Sequence, residues 1–340
     1  MTRVLITGVG AVTGAVTGGR EEIGGALAHA GDAPVRVADA TLAGLIDQAD
    51  ARRLSRVCQL AVAAGRLALA DAGREGADGL GMVLGTEFGD LTSTLGFVDG
   101  FLRRGPQGLS ALLFPNTVMN AMAATATIVV RARELSLTLN APTVAGELAV
   151  ARAAALIRAG RVEAVLAGGV DELDPLVAEV LDGMGAGDEL RGEGAGFVVL
   201  ETEAAARARG ARVLGELAGA ASRALPARPY GVGRRAESRA IAAALEQAGV
   251  GAVDLGVVFT SASGDGARAG WEAALLDAAL AARRPPRIAL AARVGRHAGA
   301  GPLAVAAAAF GAREHGPGLV HAVARGGTHV ALVVRSHDAP

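Results

Sequence analysis

Apolar runs of strand length alternate with segments of helical period along this chain, and the alternation occurs twice in the same order. In the first half Arg3–Val9, Gly81–Leu84, Leu135–Asn140, Val165–Gly168 and Gly196–Leu200 read as strands. Between them Leu54–Ala72, Asn120–Arg131 and Gly146–Ala159 read as helices; in the first, Leu54, Val57, Cys58, Ala61, Val62 and Leu69 recur near a 3.6-residue period. The second half repeats the pattern, with strands at Val213–Leu217, Leu255–Thr260, Ile288–Ala291, Leu319–Val323 and His329–Val334. Its helices are expected over Arg235–Ala248 and Ala267–Ala282 and through Leu303–Phe310. Near-continuous apolar strands must be covered on both faces, so the order implies an α/β fold with sheets between helices. Matching halves imply an internal duplication of a unit far longer than a solenoid repeat. The join is expected near Ala204–Arg209, giving halves 1–204 and 205–340. Gly219–Gly233, with Pro226 and Pro229, reads as a surface loop.

Composition narrows the function classes. All 33 basic residues are arginine, 34 acids nearly cancel them, and the formal charge is −1. That gives no electrostatic reason to expect nucleic acid or an anionic membrane as partner. Cys58 is the only cysteine, which leaves no internal disulfide and no cysteine metal cluster. His29, His315, His321, His329 and His337 show no metal-ligand spacing, so neither a metal nor a cofactor is expected. The start lacks the continuous apolar region of a secretory signal, and no apolar run reaches bilayer length. A soluble cytoplasmic protein is the expectation. Gly8-Val9-Gly10-Ala11-Val12-Thr13-Gly14 looks like a dinucleotide-binding turn. Short-chain dehydrogenases with such a start need Tyr and Lys four residues apart, and this chain has only Tyr230 and no Lys. The glycines are read instead as a strand-to-helix turn.

Several segments, in order, resemble the β-ketoacyl-ACP synthases. Val4-Leu5-Ile6-Thr7-Gly8-Val9-Gly10 is similar to their opening strand, and Leu67-Ala68-Leu69-Ala70-Asp71-Ala72-Gly73 to the end of the first long helix. Gly85-Thr86 and Phe114-Pro115-Asn116-Thr117-Val118-Met119-Asn120 resemble the stretch leading to the dimer interface. Ala167-Gly168-Gly169-Val170-Asp171, Gly192-Glu193-Gly194-Ala195-Gly196, Val198-Val199-Leu200-Glu201, Ala208-Arg209-Gly210-Ala211 and Gly326-Gly327-Thr328 extend the resemblance across nearly the whole chain. It implies a thiolase-like fold, two duplicated halves in a layered α-β-α-β-α core.

The family's chemistry uses a cysteine nucleophile at a helix start and two histidines, and the matching positions differ here. Counting back from Gly160 puts Thr143 at the nucleophile, and a Thr hydroxyl needs a positioned base. Counting back from Glu272 puts Ser261 at the first histidine. In Gly295-Arg296-His297-Ala298-Gly299, Arg296 falls at the second, with His297 one residue later as an alternative. The supporting lysine falls on Ala291, and the Gly-Phe-Gly-Gly gate reads Ala324-Arg325-Gly326-Gly327. Gly183–Arg191 is too short for the family's Pro-Phe-Asp segment, which implies trimmed loops around the acyl and carrier-protein entrance. Cys58, inside a helix pattern, is read as a small core residue.

A ketosynthase scaffold without its catalytic groups resembles the chain-length factors of type II polyketide synthases. The resemblance implies a heterodimer with an active ketosynthase, access to acyl carrier protein through that complex, and a steric gauge on chain length. Under it, Leu135, Leu137 and Leu139 lie on the interface strand, and Phe114, Met119 and Met122 are candidates for the tunnel wall; ordinary core packing accounts equally for those three. Aromatic-type chain-length factors usually carry Gln where Thr143 stands, so the resemblance runs toward polyene or fatty-acyl assembly. Two alternatives stay open: a stand-alone acyltransferase or decarboxylase using Thr143, Ser261 or His297, and a carrier-protein-binding module without chemistry.

Overall fold

The computed structural model describes residues 2–28, 35–74, 79–185, 187–280 and 284–338; His29 lies outside them. The first half contains strands β1 (Val4–Thr13), β2 (Thr17–Gly18), β3 (Leu80–Thr86), β4 (Ser136–Asn140), β5 (Ala164–Asp171) and β6 (Gly194–Thr202). Its helices are α1 (Arg20–Ala28), α2 (Asp39–Leu45), α3 (Gln48–Arg53), α4 (Arg56–Asp71), α5 (Leu91–Arg104), α6 (Ala121–Val130), α7 (Ala145–Arg158), α8 (Pro175–Gly183) and α9 (Glu203–Ala208). The second half contains β7 (Gly215–Ala224), α10 (Arg239–Ala248), β8 (Val257–Thr260), α11 (Gly266–Ala279), β9 (Arg287–Ala289), α12 (Ala291–Val294), α13 (Ala300–His315), β10 (Gly318–Val323) and β11 (Thr328–Arg335).

The strands run in the order β4-β3-β5-β6-β1-β7-β11-β10-β8-β9, with β2 paired to β1. Read inward from each edge, both halves follow one scheme. The edge strand is parallel to its neighbour and that neighbour to the next, and the two innermost pairings are antiparallel. The halves meet through two residue pairs, Leu5↔Glu216 and Ile6↔Gly215. An internal duplication produces such an arrangement. The expected join at Ala204–Arg209 falls on α9 and the residue after it.

Five layers result. α7 and α13 form the middle, and Val150, Ala153, Ile157, Val305 and Ala308 pack there against apolar residues of both halves of the sheet. α4 and α6 cover one outer face, and α10 with α11 the other. This is the α-β-α-β-α arrangement expected for the fold.

Some expected boundaries shift for physical reasons. The Gly8–Gly14 stretch is not a turn up to residue 13: β1 continues through Thr13. A Cβ on Gly8 would lie 2.5 Å from Ala72 Cβ, and one on Gly10 would lie 2.3 Å from the Ala68 amide. These glycines therefore let α4 rest directly on the strand. Gly219–Ala224 belongs to β7 rather than to a loop, paired with β11. A Cβ on Gly219 would come within 2.0 Å of the Ala244 carbonyl, so small residues here admit α10. β9 ends at Ala289, and Ala291 begins α12.

Candidate functional site

Thr143 occupies the turn between β4 and α7, directly before the helix start, with φ +72°. A β-branched residue in the left-handed region is strained, and such strain gathers at functional positions. Its hydroxyl makes no hydrogen bond to the described residues and faces a cavity of about 440 Å³. One wall is apolar: Phe88, Leu91, Pro142, the α8 residues Leu176 and Val180, and Met184 just after α8. The other is charged: Glu87, Glu189, Arg191, Asp265, Arg268 and Arg325.

The charged wall is a chain of paired groups. Arg191 bridges Glu87 at 2.6 Å and Glu189 at 2.7 Å. Glu189 also meets Arg268 at 2.7 Å, and Arg268 donates 2.8 Å bonds to the hydroxyls of Ser261 and Ser263. Arg325 pairs with Asp265 at 2.6 Å and donates to the Tyr230 carbonyl at 3.0 Å, tying the 230 loop to the start of α11. Burial opposes the charge on Glu87, but Arg191 and then Arg296 outweigh it and hold the carboxyl below its usual range. Burial likewise opposes the Arg191 charge, and Glu87 with Glu189 reverses that and raises it. Asp171, behind Glu87, is pushed up to about 7 by burial and then by the Glu87 charge. It accepts from Thr86 Oγ1 and the Glu87 amide, both at 2.8 Å, and from the Ala298 amide at 2.7 Å.

The positions sequence comparison assigned to the family's histidines are engaged elsewhere. Ser261 is buried; its hydroxyl donates to Glu272 at 3.0 Å and accepts from Arg268. Glu272 also meets His321 Nδ1 at 3.1 Å. Arg296 is buried with its guanidinium 3.3 Å from Glu87 and 3.6 Å from Glu147. Burial opposes its charge, and Glu147 with Glu87 overcomes that and raises it. Burial raises Glu147 and Arg296 offsets this only in part, so Glu87 is the firmer partner. His297 does not line the cavity. It is fully buried, accepts from the Gly299 amide at 3.1 Å, and is pulled down to about 3 by burial and by Arg296. Cys58 is buried in α4, its thiol pushed up to about 11 by burial. Among the described residues no group of three His, Cys, Asp or Glu is placed to hold a metal ion.

The sequence puts Thr143 at the nucleophile position, and that residue lies on the cavity, but the sequence motifs give no sign of Glu87, Glu189, Arg191, Asp265 and Arg268 beside it. The available signal was charge in apolar surroundings, as where Glu87 follows Leu84-Gly85-Thr86. Phe114, Met119 and Met122 do not line this cavity. Phe114 is exposed and its ring meets that of Phe97 of α5 at a tilt of 44°, centroids 5.8 Å apart. Met119 is exposed with its sulfur packed over Gly89, and Met122 is fully buried beside it among α4, α6 and β3. Leu137 and Leu139 lie on β4, an edge strand paired only with β3 among the described residues, and Leu135 immediately precedes it.

Residues 38–206 match the family model described as "Beta-ketoacyl synthase, N-terminal domain". The 3-oxoacyl-[acyl-carrier-protein] synthase 2 of Vibrio harveyi is 28% identical over 196 residues, 50% of this chain and 47% of the relative. The match thus spans about half the length of that curated relative. Among solved structures, the ishigamide ketosynthase/chain length factor superposes with a TM-score of 0.84 at 22% identity, covering 99% of each chain. A type II polyketide synthase acyl-carrier protein in complex with its ketosynthase bound to the hexaketide gives 0.83 at 20% identity, covering 99% of this chain and 100% of the other. Motif order, layered architecture and these likenesses agree: the chain belongs to the β-ketoacyl synthase family and has its thiolase-type fold.

Proposed function

We propose that this chain is a non-condensing ketosynthase subunit. It pairs with an active ketosynthase in the cytoplasm and, as a chain-length factor, limits elongation of polyketide or fatty-acyl chains on acyl carrier protein. One observation carries the reading: where a cysteine and two histidines would be needed stand Thr143, a saturated Ser261 and an ion-paired Arg296. Among the described residues no thiol lines the cavity, and none of its charged groups is an unpaired base.

The exposed apolar surface supports a partner. Leu102, Leu112, Phe114, Met119 and Ile128 lie on α5, on α6 and between them, with Leu112 89% and Ile128 78% exposed. Large apolar patches on soluble folds mark interaction sites. An edge strand such as β4 also offers unpaired backbone groups to a second sheet. On this reading Phe114 and Met119 stand where a shared tunnel would be lined. Two solved structures of the same fold, described as a ketosynthase/chain length factor and as a ketosynthase with acyl-carrier protein, lend it further support.

The test is purification of the tagged chain from its own host with mass spectrometry of stoichiometric companions. A one-to-one ketosynthase carrying an intact Cys-His-His set is the expected result; a homodimer without such a companion overturns the reading. The strained Thr143, its hydroxyl free in a cavity, favours a second reading: a stand-alone acyl-transferring enzyme. It requires turnover by the isolated chain that Thr143→Ala abolishes.

A further inference from the structure

A second cavity, of about 380 Å³, lies at the start of α10 and is lined by Arg223, Leu225, Arg235, Glu237, Arg239 and His329. It is distinct from the Thr143 cavity, although the 225–230 segment contributes Leu225 to one and Tyr230 to the other. Arg223 and His329 are directly paired across β7 and β11, so their side chains leave the same face of the sheet. Two residues away on each strand, the paired Ala221 and Ala331 pack in the core with α10, so this is the face that α10 covers. The α10 N-terminus is thereby set over the Arg223–His329 pair.

Three features of the cavity call for an anion. Arg223, Arg235 and Arg239 have no ion pair among the described residues; Arg223 donates only to the Ser222 carbonyl, at 2.8 Å. Between residues 222 and 239 the chain carries Arg223, Arg228, Arg234, Arg235 and Arg239 against Glu237 alone, in a protein of formal charge −1. His329 is completely buried, and its ring nitrogens make no hydrogen bond of normal geometry among the described residues, standing near only the Gly327 and Arg223 backbone carbonyls. A buried polar group left unpaired is costly unless something else satisfies it. The segment is also held in place: Trp271 Nε1 donates to the Arg235 carbonyl at 2.9 Å, and Ser238 caps Ile241 at 3.2 Å.

We propose that this cavity binds the phosphoryl group of a small phosphorylated ligand. The guanidinium groups of Arg223 and Arg239 grip its oxygens, the first turn of α10 adds amide donors and the positive end of its dipole, and His329 donates from the floor. The site is independent of the pairing role argued above and stands or falls separately.

The test is isothermal titration of the full chain, at constant ionic strength, with inorganic phosphate, pyrophosphate and a nucleoside monophosphate. Saturable one-to-one binding is expected, weakened about tenfold or more by Arg239→Gln and by Arg223→Gln, as loss of a charge-assisted bond requires. Both side chains are exposed, so their unliganded melting curves should match the parent. Saturation by phosphate itself points to the free anion, and saturation only by the nucleotide to a larger ligand carrying it. In a spectrum of imidazole nitrogens, the His329 signal should move on saturation. Absence of saturable binding at millimolar ligand, or binding that both substitutions leave intact, overturns the proposal.

Discussion

Arg191 Nη2 stands 2.6 Å from Glu87 Oε2, joining the 187–193 segment to the end of β3 at the wall of the Thr143 cavity. Both side chains are nearly out of solvent, so each has given up its hydration for the other. Removing one member of such a pair leaves an uncompensated buried charge. Glu87→Ala is therefore expected to destabilise by about 3–5 kcal/mol in urea unfolding. An exposed pair such as Arg103–Asp99 should show less than about 1 kcal/mol when Asp99 is removed.

The pH dependence of Asp171 follows from its burial. Its folded pKa, about 7, lies above its ordinary value of 3.8, so between these the native state holds a proton that the unfolded chain has released. That contribution is complete below pH 3.8 and disappears as pH rises through about 7. The stability of the parent relative to Asp171→Asn should accordingly fall as pH rises across this window, then stay level. The full change is on the order of a few kcal/mol. Chemical denaturation of both proteins at stepped pH measures it; a flat difference would show that Asp171 is ionised throughout.

Cys58 offers a direct check on whether a reactive thiol exists in this chain. Its thiol is buried in α4 and pushed up to about 11, so little thiolate forms near neutral pH. Native protein should resist alkylation at pH 8 and label fully once unfolded. Cys58→Ala should leave the product profile of the proposed complex unchanged and lower stability by about 1–2 kcal/mol. Rapid native labelling would contradict the burial.

Most strands, their order along the chain and the middle helices were legible in the sequence because apolar periodicity reports burial, and most of these elements are deeply buried. α5 and α8 were not. α8 carries Leu176 and Val180 toward a cavity, with Met184 just after it, and they stay partly exposed, so its apolar residues do not mark a core face. Counting back from Gly160 reached Thr143, and the structure sets that residue in the turn before α7. The ionic wall could not be located. Glu87, Glu189, Arg191 and Arg268 come from separate parts of the chain and acquire meaning only when the fold brings them together. For the same reason Arg296, legible as a departure from a family position, gave no hint of Glu87 and Glu147 as its partners.

The two methionines beside Gly89 separate a packing role from a gauge. Met122 is fully buried, so Met122→Ala should cost about 2–5 kcal/mol whatever the protein does. Met119 is 42% exposed, so a larger side chain there meets no packed core. In the reconstituted pair Met119→Trp should shorten the product, read by mass spectrometry of released chains, with little change in melting temperature. Unchanged product length would remove Met119 from the tunnel wall.

Thr143 ties strain to the question of chemistry. At φ +72° a β-branched side chain costs about 1–3 kcal/mol, which glycine avoids. Thr143→Gly should therefore match or exceed the parent in stability, despite the greater freedom of its unfolded chain. If the chain is a non-condensing partner, Thr143→Gly and Thr143→Ala should both support normal product formation by the pair. Thr143→Cys supplies a thiol at the start of α7, where the helix dipole favours a thiolate. It should still not condense, because Ser261 is saturated by Glu272 and Arg268, and Arg296 is held by Glu87. Radiolabelled acyl transfer to the isolated Thr143→Cys protein without decarboxylative condensation is the expected pattern. Condensation by it would mean that a base lies within reach of residue 143, and loss of product formation in Thr143→Ala would make the hydroxyl itself the reacting group.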